Sequence, residues 1–196
     1  LAAIGSSTFR GAGALIVNSN ATFSVPNGPS LSRNVTNSGL TLIGSTLGPG
    51  SLSANTNIFW TNLPSAKMTL FQSGGLNVNY FGGPAPLFNN AGLVQNALPN
   101  QNASIAWTFT NSGQVSVSAT GLMAFTHGFT QTAGSTVISN RATMSVTGPS
   151  SVTILGGSLS GNGTVSGNVV NSGTVHPGGS PGQLSFGNTF TNNASG

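Results

Sequence analysis

The sequence predicts an all-β chain wound as a stacked β-solenoid, and three observations carry that expectation. The first is a period of two over Ser158–Phe186. From Leu159 to Pro177 the odd positions are apolar, Gly or Pro apart from Asn171, and the even ones are polar apart from Val170. That is the mark of an extended chain with one buried face. The second is a shorter repeat: Ser160-Gly161-Asn162, Ser166-Gly167-Asn168 and Ser172-Gly173-Thr174 are interleaved with Val165, Val169 and Val175. Strands this short, with one or two inward aliphatics each, need neighbours above and below, which stacked coils supply. The third is a longer repeat. Asn-Ser-Gly recurs at Asn37, Asn111 and Asn171, the last two copies 60 positions apart, and Phe129–Gly134 is echoed 61 positions later by Phe190–Ser195. Three rungs of roughly 20 residues fit both spacings.

Taken in order, the chain opens with a short apolar run, Ala14–Val17, and then alternates Ala21, Phe23 and Val25 on one side. Pro26-Asn27-Gly28-Pro29 is a turn. Leu40 and Leu42 share a face of the next strand, and Gly44–Gly50 is a loop. Residues 50–100 look different. Phe59, Trp60, Phe71, Tyr80, Phe81 and Phe88 crowd there among Pro64, Pro84 and Pro86, and the first two Asn-Ser-Gly copies are 74 positions apart rather than 60. This stretch therefore reads as an insertion or cap on a single all-β domain spanning residues 1–196. Its aromatics are core in the plainer reading. In the sharper one they form an exposed contact patch. From Ser104 the alternation returns with Ile105, Trp107 and Phe109, then Val115 and Val117. Leu122–Phe125, Phe129–Ile138, Ala142–Val146 and Ser151–Leu155 follow, each bounded by Gly, Pro, Ser or Asn, which is the strand signal.

The runs FTQTAGSTVISNRATMSV and GGSLSGNGTVSGNVVNSGTVHPGGSPGQLSF, closed by FTNNASG, resemble the passenger repeats of bacterial autotransporter-type, adhesin-like surface proteins. The likeness covers residues 104–196 and, more loosely, 14–42. It implies a right-handed parallel β-helix, exported and displayed outside the cell.

Composition narrows the chemistry. The chain of 196 residues has no Asp, no Glu and no Cys, and its fixed charges are Arg10, Arg33, Lys67 and Arg141. Such a balance fits a harsh or acidic exterior, since no carboxylate side chain is there to titrate. Without carboxylates, two-acid glycoside hydrolysis, acid-dependent triads, acidic calcium loops and magnesium-assisted phosphoryl transfer have no parts. Without Cys there is no thiolate ligand or nucleophile. His127 and His176 would lack a third metal ligand. The Gly-rich pieces at Gly156 and Gly178 precede neither a helix nor a Lys, so they are turns rather than phosphate cradles. No cofactor is expected. The four cations are too scattered for nucleic acid, and no apolar run reaches the ~18–20 residues of a membrane span. An ice-binding solenoid would show Thr-x-Thr pairs on successive rungs; Thr130–Thr132 is such a pair, and read along the chain no ladder emerges. Five sequons, at Asn20, Asn34, Asn102, Asn162 and Asn193, are candidate N-glycosylation sites that serve equally well as turn residues.

The functional expectation is a non-enzymatic extracellular structural or adhesive surface protein. It would associate with copies of itself as a filament or coat, with inward aliphatics for stability and Asn amide ladders at the turns. Uncharged strand edges invite such pairing. One alternative is a β-sandwich filament or pilus subunit joined by donor-strand exchange, with Leu1–Phe9 as the donor. Another is a carbohydrate-binding module in which Trp60, Tyr80 and Trp107 are stacking platforms for cell-surface glycans.

Overall fold

The computed structural model describes residues 8–26, 28–71, 75–78, 83–96, 98–147, 151–178 and 182–193. They contain 26 strands and no helix. Consecutive strands never pair. Each pairs with the strand three further on, always in parallel, so three sheets run the length of the molecule. The first sheet has nine strands, from Thr8–Phe9 to Ser185–Phe186. The second also has nine, from Leu15–Val17 to Phe190–Asn192. The third has eight, from Thr22–Val25 to Thr174–Pro177. The chain is therefore a three-sided parallel β-solenoid of eight complete coils, and the sandwich alternative is set aside. A sandwich of hairpins pairs neighbouring strands antiparallel, and here every strand-to-strand ladder is parallel.

The alternation read from the sequence is the in–out pleat of these strands. In Gln114–Val117 the valines are buried and Gln114 and Ser116 face out, and Ser135–Ile138 and Thr143–Val146 repeat the pattern. Strands of four residues place two side chains inside each. No coil could bury those alone, which is why the stack is the stable unit.

The described residues between 50 and 100 continue the stack. Ser51–Ala54, Phe59–Asn62, Lys67–Leu70, Gly75–Val78, Leu87–Asn90 and Leu93–Asn96 are six ordinary strands of two coils, paired on both sides. Asn37, Asn62, Asn90 and Asn111 lie opposite one another on successive strands, separated by 25, 28 and 21 residues. So 74 positions span three rungs here, as 60 do between Asn111 and Asn171. The strands themselves stay four residues long, so the additional residues lie between strands.

Leu40 and Leu42 do share a face, but it is the outer one; Thr41 and Ile43 point inward. Register explains this. Thr41 lies between Phe23 and Met68, and Ile43 between Val25 and Leu70. Side chains alternate with period two, so the stack's register overrides one strand's own preference. The cost is visible: the Thr41 hydroxyl is buried with no hydrogen-bond partner.

Two columns organise the core behind the second sheet. One is aromatic. Trp60, Phe88, Phe109 and Phe129 occupy equivalent inward positions on successive strands. Their rings stack at centroid distances of 5.9, 5.1 and 5.5 Å. Phe125 adds an edge contact of 4.9 Å to Phe129, and Trp107 sits 6.3 Å from both Trp60 and Phe88. Offset pairs of this kind are worth roughly 0.5–1.5 kcal/mol beyond the buried area.

The second column is amide. Asn37 Nδ2 donates to Asn62 Oδ1 at 2.9 Å, Asn62 Nδ2 to Asn90 Oδ1 at 3.2 Å, and Asn90 Nδ2 to Asn111 Oδ1 at 2.8 Å. Asn111 Nδ2 then donates to Gln131 Oε1 at 3.3 Å. All five side chains are buried. Each would be costly unpaired; joined, Asn62, Asn90 and Asn111 each have an amide partner on both sides. The expected amide ladder is thus present, and it lies at the corner between the second and third sheets.

That corner also explains the glycine of Asn-Ser-Gly. A Cβ at Gly113 would fall on the Gly92 carbonyl oxygen, and one at Gly134 on that of Gly113. Gly134 has φ +70° as well, a conformation in which only glycine is unstrained.

Candidate functional site

The expected contact aromatics divide three ways, and none is seen as a surface platform. Trp60 is wholly buried in the aromatic column, where its indole Nε1 donates to Asn62 Oδ1 at 2.9 Å. Trp107 is wholly buried too, donating to the Asn77 carbonyl at 2.7 Å. Tyr80 lies outside the described residues. This corrects the placing of the two tryptophans at a glycan surface. An indole in this core gains both burial and a partner for its N–H. Of the middle aromatics, Trp60 and Phe88 are core, Phe59 is exposed, Phe71 is half-buried, and Phe81, like Tyr80, lies outside the described residues.

The sequons are better placed. Asn20, Asn34, Asn102 and Asn193 are exposed. Asn34 is engaged through Oδ1, which accepts the Phe59 N–H at 3.0 Å, and Asn193 Nδ2 donates to Ser172 Oγ at 3.0 Å. Asn162 is half-buried, and its Oδ1 is enclosed without a partner. The two histidines do not meet. His127 is in a turn between the first and second sheets, where Nδ1 contacts Thr126 Oγ1 at 3.0 Å, and His176 is on the outer face of the third sheet. Among the described residues no group of three or more metal-binding side chains occurs. No helix there is long and apolar enough to cross a membrane.

The depressions on the described surface include two of note. One, of about 500 Å³, follows the glycine corner and is lined by Pro64, Lys67, Leu93 and Gln114. The other, of about 440 Å³, lies at the C-terminal coil, among Asn171, Val175, Phe186, Phe190 and Asn192. Neither gathers groups with acid, base or nucleophilic capacity.

Charge is almost absent from the sheets. Arg10, Arg33 and Arg141 are in turns, and Lys67 is the one charged residue in any described strand. Arg33 is spent on structure: Nη2 donates to the Ala12 carbonyl at 2.7 Å and Nε to that of Gly13 at 3.2 Å, tying the first coil to the second.

Reading along the chain misses one further array. On the outer face of the second sheet, Ile16, Thr36, Thr61, Asn89, Thr110, Thr130, Thr153, Val170 and Thr191 stand opposite one another in an unbroken register. The signal was available in the recurring pair of an inward Phe, Trp or Val followed by Thr and then Asn. It is hidden because the rungs differ in length.

No family model, no curated protein and no solved structure matches the chain.

Proposed function

We propose that this chain is a non-enzymatic structural or adhesive rod of the cell exterior, which acts through its surface and associates with copies of itself. The observation that carries the reading is the near-absence of charge from the strands, with Lys67 the one exception. Soluble β proteins keep their sheet edges apart with charged gatekeepers; among the described strands only Lys67 could act as one. The rest of the chain supplies stiffness: columns of rings and amides bind each coil to the next, which suits a spacer or a display scaffold. The absence of Asp and Glu leaves no acid pair for hydrolysis and no acidic cation cage.

Electron microscopy of the purified protein in detergent-free buffer tests the reading. Filaments or sheets with an axial repeat that is a multiple of the strand spacing of about 4.8 Å are expected. Dispersed single rods at every concentration would overturn self-association.

A further inference from the structure

We infer that the outer face of the second sheet binds ice, through water ordered on its column of β-branched side chains. Eight of the nine rungs place Thr, Ile or Val at one outward position, with Asn89 the exception. Each of the eight carries a γ-methyl group, and six also carry a hydroxyl. β-Branching restricts χ1, so the array is stiffer than one of unbranched side chains before any ligand arrives. Its repeat is the strand spacing, about 4.8 Å, close to an oxygen repeat of the ice lattice. Methyl groups order the water over them and hydroxyls anchor it, which is the chemistry a growing ice surface recognises.

Three features of the molecule set this column apart. Strand propensity favours Thr everywhere in a sheet, yet the other outward columns are mixed. On the first sheet one runs Ser51, Gly75, Ser104, Ala124, Ser145, Ser166. On the third sheet one runs Leu40, Lys67, Leu93, Gln114, Ser135, Ser158. The third sheet carries Lys67, whereas the second, like the first, has no charged residue in any of its strands. A charge there would impose its own hydration shell on the ordered layer. The array widens in mid-rod, where Thr108 and Ser112 flank Thr110, and Thr132 flanks Thr130.

The experiment is nanolitre osmometry of the purified full chain, with ice-crystal shape recorded as the sample cools. The expected result is a gap between melting and freezing temperatures, together with faceted crystals. T130K is expected to abolish most of the gap and S145K, on the first sheet, to leave it unchanged; both should keep the wild-type β spectrum and unfolding midpoint. T130V keeps the γ-methyl and is expected to retain most of the gap. A wild-type chain that freezes like buffer would overturn the proposal. So would a gap that survives T130K in folded protein, which would put any ice contact on another face. Self-association is read separately by microscopy, so either conclusion can fail without the other.

Discussion

The two halves of the rod solve one packing problem differently. Between Val35 and Gln131 the inward column of the second sheet is aromatic and the amide ladder unbroken. Beyond it the same positions hold Val152 and Val169, and Ile154 interrupts the ladder before Asn171 resumes it with a 2.7 Å bond from Nδ2 to Asn192 Oδ1. At the break, Gln131 Nε2 donates instead to the carbonyls of Gly156 and Ser158, both at 3.1 Å. Rung length does not follow the filling: Phe109 to Phe129 spans 20 residues, whereas Phe129 to Val152 spans 23. The same stack accepts rings or valines without a change of fold.

That contrast yields its own tests. The largest effect is expected at the stacked rings. F109A should cost about 3–5 kcal/mol, because the cavity lies between two rings that cannot collapse into it, whereas V169A at the equivalent valine position should cost roughly half as much, both read from urea unfolding. Next is the corner. G134A drives a Cβ into the Gly113 carbonyl and forces an unfavourable φ, so a loss of about 3 kcal/mol is expected. Comparable stability in G134A and wild type would mean the corners are looser than described.

The amide ladder comes third. N111A leaves the Asn90 donor and the Gln131 acceptor to other partners, at about 2–3 kcal/mol, while N171A, near the end of the rod, should lose closer to 1 kcal/mol. I154N is expected to change stability by no more than about 1 kcal/mol, since it exchanges an apolar side chain for the missing ladder link; a large loss would show that the break is required. The smallest effect is on pH. With no Asp or Glu, no side-chain carboxylate has a folded pKa below its unfolded one, so none contributes stability that acid could remove. The unfolding midpoint should stay nearly constant between about pH 5 and pH 2.5, a range in which ordinary domains lose much of theirs.

The C-terminal half was readable along the chain because Ser-Gly-Asn triplets and valines fall in step over Ser158–Val175. The N-terminal half follows the same plan, but rungs of 25, 28 and 21 residues dissolve the period, and Trp60 and Phe88 look like an intrusion when they are its central layer. Thr41 shows the same limit on a smaller scale: register comes from Phe23 and Met68, which are distant in sequence. The amide ladder was foreseen from Asn at turns. The outward threonine column was not, because its members are neighbours only across the stack.

Amide hydrogen exchange across residues 51–96 tests the central claim most directly. If these residues are two coils of one continuous solenoid, the paired amides of Phe59–Asn62, Leu87–Asn90 and Leu93–Asn96 will be protected as strongly as those of Thr108–Asn111 and Ser135–Ile138. Rapid exchange across 51–96, beside slow exchange in 102–177, would instead mark a separate insertion and contradict the account.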